Sequence, residues 1–383
     1  MHDLAPLLRD KAFVSRLGRS LAGEEPPPTL RCVKIKITSR CNLRCSMCRY
    51  WKTEQEEVLP SERWREIFEE LVVLGCRKIH FSGGEALLRR DFPELAQSAA
   101  TLGLKVSLTT NGTLLTKDVV KRLVRGGIHS ISLSLDGATS KRHDGVRGIE
   151  GSFRRTVKAV ERLRQQSSTL RIRINTVLMR NNWRDLPALV RLAGELGATD
   201  LVPMPVDEKG PRKRRLSREA IRSFNREVAP VVGDLRRRYG LPLTIDRVYP
   251  FGVTTDDIRR SARGLYSRGA FVSRPCLAPW LHLFLAWNGD AFSCCMTNQR
   301  MPPLGNVGRS SVEEVLLGSR SQEVRRDFAA GRPHAACERC DLFLAENALL
   351  HAALEEAGDE HGAEAGIARE HSRTDEGLAH AGL

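Results

Sequence analysis

Three cysteines, Cys41, Cys45 and Cys48, fall within the stretch "TSRCNLRCSMCRYWK" in a C-x3-C-x2-C spacing. Structural zinc wants four closed ligands, so three thiolates fit it poorly. They suit a cubane [4Fe–4S] cluster held at three corners, with the fourth iron open to an outside ligand. On these three residues alone a zinc site stays open. A second set lies far downstream: Cys276, then Cys294, then Cys337 and Cys340 as "CERC", with Gly289 between the first two. Four thiolates can fully ligate a second [4Fe–4S] cluster, or a zinc clip. Ten cysteines in 383 residues are too many for chance and too few for a disulfide scaffold. Clustered as they are, they point to metal or redox chemistry in a reducing cytosol. Cys32 and Cys76 lie on or beside apolar strands and read as core residues.

The elements that must carry these thiols alternate. Residues 1–28 read as a helical lead-in ending in the stiff "EEPPP". Strands are expected at 30–38, 77–82, 104–110, 129–137, 171–179 and 198–206. Helices are expected at 61–75, 116–127, about 151–166 and about 183–196, and one more starting near Asp91. Ser61 is placed to cap the first, whose stripe is Trp64, Ile67, Phe68, Leu71 and Leu74; Asp91 and Glu94 fit a capping pattern for the next. Six strand–helix units in order imply an α/β fold with a parallel sheet, open or closed into a barrel. Cys41, the Gly83–Gly84–Glu85 turn, Thr109 to Asn111, and Ser134 to Asp136 all fall at C-terminal strand ends, where such barrels carry chemistry.

After about 240 the alternation stops. "LHLFLAWNGDAFSCCM" (281–296) reads as a hairpin turning at Asn288–Gly289, followed by helices near 311–318 and 320–330. The expected organisation is a lead-in over 1–28, a barrel over 29–240, a small α+β domain over 241–357 and a disordered tail over 358–383. His361, His371 and His380 of that tail read as solvated.

The net charge is +15, yet aromatics are only 5% and no run interleaves them with bases, which argues against a nucleic-acid partner. The run "KGPRKRRLSR", Lys209 to Arg218, reads as a solvated loop, with a patch near an anionic substrate as the functional alternative. No apolar run reaches the roughly 18 residues of a membrane helix, and the N-terminus lacks a signal-peptide pattern. The expectation is a cytoplasmic protein without a membrane partner.

In combination these motifs resemble the radical SAM superfamily over about 30–205, with C-x3-C-x2-C at the end of the first barrel strand. "SGGEALLR" (82–89) is similar to the family's GGE motif. The resemblance implies that Gly83 and Gly84 admit close backbone approach and Glu85 accepts from the methionine amino group of S-adenosylmethionine. "TTNGTLL" and "SLSLDG" are similar to the third- and fourth-strand motifs, which implies that Thr109, Asn111, Ser134 and Asp136 line the nucleoside. Met47 then stands against adenine, and Arg147 where related enzymes meet the S-adenosylmethionine carboxylate. The fold implied is a partial (β/α)6 barrel. The C-x12-G-x4-C spacing from Cys276 to Cys294, with "CERC", resembles the short Twitch form of the SPASM auxiliary-cluster domain, implying one further [4Fe–4S] cluster on Cys276, Cys294, Cys337 and Cys340.

The chemistry implied is radical. Reductive cleavage of S-adenosylmethionine gives a 5′-deoxyadenosyl radical, which abstracts a hydrogen atom from an unactivated carbon. A fully ligated second cluster can then accept the electron left behind. If a thiol instead returns a hydrogen atom, the outcome is epimerisation. Cys295 is the candidate donor; it is also an alternative ligand, or a side chain merely packed in the hairpin. The partners implied are a small-molecule or peptide substrate and an electron donor such as flavodoxin or ferredoxin. By analogy with the family, the substrate expected first is a sugar or aminocyclitol, oxidised or epimerised in secondary metabolism. Peptide maturation and tetrapyrrole side-chain modification are the alternatives, with a metal-binding electron carrier as the non-enzyme reading. Asp207, Glu208, Arg247 and Tyr249, near the domain junction, could contact substrate.

Overall fold

The computed structural model describes residues 5–48, 50–52, 59–208 and 213–357. The tail histidines, and Lys209 to Arg212 of the basic run, lie outside them.

Six strands run parallel and pair in chain order: β1 (Cys32–Lys36), β2 (Lys78–Ser82), β3 (Lys105–Thr110), β4 (Ser130–Ser134), β5 (Arg171–Leu178) and β6 (Asp200–Pro205). Among the helices of the described residues are α1 (Lys11–Ala22), α2 (Ser61–Val73), α3 (Phe92–Thr101), α4 (Lys117–Arg125), α5 (Ser140–Arg147), α6 (Ser152–Gln166), α7 (Leu186–Glu195), α8 (Ala229–Arg238), α9 (Val312–Leu317) and α10 (Ser319–Ala329). Register explains why the alternating pattern was readable. Ile35, Phe81, Leu108, Ile131 and Ile172 are successive partners across the five strands and are fully buried against the helices. Each such side chain contributes about 1.5–3 kcal/mol by leaving water. The neighbouring row, Lys34, His80, Ser107, Ser130 and Arg171, must face the other way, into the barrel.

Three expectations are corrected. Ser61 does not cap α2: the N-cap is Pro60, and the Ser61 hydroxyl donates to Asp91. Asp91 is the N-cap residue of α3 but makes no side-chain cap bond, because Arg89 and Ser61 hold its carboxylate. Helices at Arg218–Ser223, Ala229–Arg238, Ile245–Val248 and Thr255–Ala262 lie where no element was expected, with a π-turn at Phe224–Val228 between the first two.

The C-terminal hairpin, β7 (His282–Leu285) with β8 (Asp290–Phe292), turns where expected, with Gly289 at φ 85°. It does not start a sheet of its own. β7 pairs parallel with β1, Cys32 against His282 through Ile35 against Leu285, and β9 (Gly305–Asn306) completes a single nine-stranded sheet. The hairpin that leads to Cys294 therefore lies beside the strand that leads to Cys41.

A buried charge cluster locks this junction at the floor. Glu346 Oε1 accepts from Arg31 Nη1 at 2.7 Å and lies 2.7 Å from His282 Nε2. Burial alone would lower the His282 pKa; hydrogen bonds to Cys32 and Glu346 override it and raise it to about 9. A raised histidine stabilises fully below its ordinary value of 6.5, and that contribution disappears as pH rises through about 9. We expect on the order of 3 kcal/mol of stability to be lost over this interval. Melting temperatures across it should show a fall in the wild-type chain. Glu346→Gln should start lower and flatten the profile.

Candidate active site

At the end of β1 the chain turns into the cysteine loop, and the turn after β2 holds it in place. Gly84 N donates to Thr38 O at 2.9 Å and Glu85 N to Arg40 O at 2.7 Å. A Cβ on Gly84 would lie 2.5 Å from Ser39 O and closer still to Arg40 O. The glycine pair is needed here so that two backbone segments can touch. The Glu85 carboxylate is buried and turned toward β3. It accepts from Thr110 Oγ1 and Asn111 N, both at 2.7 Å, and from Leu87 N at 3.2 Å. Burial raises its pKa, against the pull of these donors. Asn111 Nδ2 reaches Asn42 Oδ1 at 2.8 Å, so β3 grips the cysteine loop as well.

The fourth strand contributes an ion pair. Asp136, fully buried, lies 2.7 Å from Arg147 Nη2, and its Oδ1 accepts from Val177 N at 2.8 Å. Arg147 ends α5, and its Nη1 lies 3.7 Å from Cys45 Sγ. Its backbone carbonyl accepts from Arg44 N, so α5 also braces the loop. Arg147 Nε is buried without a hydrogen-bond partner. Met47 packs with Val146, Met179 and Val206 at the rim. Thr109 Oγ1 is 2.9 Å from His80 Nε2, deeper in the barrel, while Ser134 is half-buried on the same face. The structure thus gathers Cys41, Cys45, Cys48, Gly83, Gly84, Glu85, Asn111, Asp136 and Arg147 round one loop. Thr109 is tied instead to the barrel interior.

The donor set suits a cluster. Burial raises the Cys41 pKa to about 11 and also lifts Cys45, which Arg147 pulls back. Free thiols of this kind stay neutral near pH 7, and iron coordination removes their protons outright. Among the described residues, no three Cys, His, Asp or Glu side chains converge on one point at metal-ion distance. A zinc ion needs its sulfurs about 2.3 Å from a single centre, whereas a cubane offers separated iron corners.

The second set divides in an informative way. Cys276, Cys337 and Cys340 are buried in one apolar cluster, with Cys294 packed against it. Burial raises the pKa of Cys294 to about 11 and of Cys337 to about 12. Cys295 turns the other way, into a cluster with Phe284, Trp287, Phe292 and Tyr50. Its Sγ lies 3.5 Å from Lys34 Nζ of β1. Tyr50, just past the first cysteine loop, accepts at its hydroxyl from Asn298 Nδ2 at 2.9 Å, and Lys36 Nζ sits 2.9 Å from its ring centroid. The two cysteine segments therefore meet at one barrel mouth. Lys34, Lys36, Tyr50 and Asn298 escaped the sequence reading. The two lysines alternating inside the strand "CVKIK" were the available signal.

Of the junction residues, Asp207 joins Arg300 and Arg339, tying β6 to the C-terminal segment. Glu208 accepts from the backbone of Lys213 and Arg214. Arg247 pairs with Asp200 at 3.2 Å. These groups are engaged within the protein.

A parallel barrel with three cysteines at the end of β1, backed by a glycine pair and a buried acid, defines the class. The Radical SAM superfamily profile matches residues 35–193, and an iron–sulfur cluster-binding domain profile, SPASM, matches 276–341. The chain belongs to the radical SAM superfamily and carries a C-terminal SPASM-type domain, which together imply S-adenosylmethionine, a [4Fe–4S] cluster and auxiliary iron–sulfur binding. It is 36% identical over 170 residues, 44% of its length, to the AdoMet-dependent heme synthase of Methanosarcina barkeri (strain Fusaro / DSM 804), and spans about half of that relative, 48%. It is 29% identical over 278 residues to the PqqA peptide cyclase of Xanthomonas campestris pv. campestris (strain 8004), covering 70% of this chain and 68% of the cyclase. In fold it is similar to Streptococcus suis SuiB bound to S-adenosylmethionine, with TM-score 0.63, 17% identity, and coverage of 85% and 76% of the two chains.

Proposed function

We propose that this protein carries out a radical S-adenosylmethionine-dependent oxidation of a peptide side chain, with a second [4Fe–4S] cluster on Cys276, Cys294, Cys337 and Cys340 as electron acceptor. The observation that carries the reading is the shared barrel mouth. Tyr50, just past the first cysteine loop, meets Asn298, and Lys34 of the strand leading to that loop meets Cys295. When bound, the cluster and S-adenosylmethionine supply the radical that removes a hydrogen atom from carbon.

The chain's own groups position and shield. Cys41, Cys45 and Cys48 hold the first cluster. Glu85 and Asn111 fix the loop. Arg147, aligned by Asp136, places positive charge beside Cys45 and has Nε left to give. The Phe284, Trp287 and Phe292 cluster keeps water from the mouth. Lys34, Lys36 and His80 give the barrel interior a polar wall that suits a polar substrate; burial lowers the Lys36 pKa to about 7 and holds His80 well below its ordinary value, so His80 stands neutral.

A peptide substrate draws support from the likeness to a PqqA peptide cyclase, which spans 70% of the chain. The 36% identity to a heme synthase favours tetrapyrrole modification as the second reading. Neither relative favours the sugar or aminocyclitol expected from the sequence. The loaded protein, with S-adenosylmethionine and a reductant, should release 5′-deoxyadenosine several-fold faster with a peptide pool than without it. It should leave peptide products lighter by two hydrogens. Stimulation by carboxylated tetrapyrroles alone would install the second reading, and stimulation by polyols alone would sink both.

A further inference from the structure

The cavity beside α1 holds a charged group that no described residue pairs with. It encloses about 550 Å³ between the end of α1, the following 23–27 segment, Trp280 and α10. Arg325 of α10 lines it and is only 9% exposed. It makes no hydrogen bond or ion pair with any described residue. Burial lowers its pKa to about 10 and no carboxylate opposes the shift, so it stays charged at neutral pH. Ser20, on the same wall, is 5% exposed and its Oγ is also buried without a partner. Leu21, Pro26, Trp280 and Leu317 supply an apolar lining.

The Arg325 side chain is nine-tenths covered, while its guanidinium faces the cleft with no described partner, where a ligand can complete it. The volume and the lining, apolar with few polar groups, are those of a small-molecule site. The planar guanidinium matches a carboxylate in two parallel hydrogen bonds. At the rim the exposed Glu24 and Arg326 carry opposite charges and Glu25 is neutralised by Arg19 at 2.7 Å, which leaves the Arg325 charge to be matched by a single carboxylate. We infer that this cavity is a second binding site, separate from the barrel, for a small monocarboxylate with an apolar body held by Arg325. Its back wall, Trp280, belongs to the apolar cluster that contains Cys276, Cys337 and Cys340. A ligand there would press on the shell of the auxiliary cysteines. The inference stands independently of the reaction proposed above.

The test is calorimetric titration of the full, iron-loaded protein with 4-phenylbutyrate and with its uncharged amide. The acid should bind at least about tenfold more tightly, the worth of a charge-assisted hydrogen bond. Arg325→Met should bind the two alike, with iron content and S-adenosylmethionine affinity unchanged. The ligand-free variant should melt no lower than wild type, because methionine keeps the packed stem and removes a charge with no described partner. Absence of binding, equal binding of acid and amide by wild type, or a preference that survives in Arg325→Met overturns the site. A variant melting several degrees lower also overturns it, by showing that the guanidinium already has a structural role.

Discussion

Replacing Cys41, Cys45 and Cys48 together by alanine should remove about half of the iron and all cleavage of S-adenosylmethionine. Two cubanes hold about eight irons and one holds about four. The two cysteine sets sit in different surroundings, one on a loop after β1 and the other within a separate apolar cluster, so losing the first should spare the second. Iron and sulfide measured after anaerobic reconstitution decide the matter. A fall from about eight to about four supports an auxiliary acceptor. A fall from about four to none, with zinc retained, would make the C-terminal cysteines structural. The oxidation proposed here would then lose its electron sink, and redox-neutral chemistry would move to the front.

Gly84→Ala should empty the same site without touching a thiol. The added methyl would meet the carbonyls of Ser39 and Arg40, which are backbone and cannot swing away. Overpacking of this kind costs about 1–3 kcal/mol even where side chains can yield. The segment that must move here is the one leading into Cys41. Iron should fall toward the auxiliary complement, and S-adenosylmethionine cleavage should fall with it. Gly145→Ala, in α5 with nothing within 4 Å of the new carbon, is the control and should be neutral or mildly stabilising. Equal iron in the two variants would refute the role assigned to the glycine turn.

The barrel was legible because its strands are short apolar runs with period-two alternation, separated by amphipathic helices. Cys41, Gly84, Glu85 and Asp136 were legible because each stands at a strand's end, where topology brings distant residues together. What Glu85 and Asp136 touch was not legible. A motif names a carboxylate, but only the fold shows Glu85 turned toward the Asn111 backbone and Asp136 locked to Arg147. The helix Ser140–Arg147 escaped notice because "SKRHDGVR" has almost no apolar face. The pairing of β7 with β1 was hidden for another reason. Nothing local in "HLFL" says which of two edges of a six-stranded sheet it will join.

The same pairing has a consequence for how the chain is made. β1 acquires its second neighbour only when His282 to Leu285 emerge, some 250 residues after Cys32. At roughly 5–20 residues per second, that is tens of seconds of synthesis with one strand edge bare. A bare, apolar edge invites pairing with another nascent chain. Lys34 and Lys36 sit within that strand, and inward-pointing charges are one means by which natural sheets blunt an open edge. The two lysines that later line the barrel would thus serve first as guards against aggregation, before the strand they protect has met its partner.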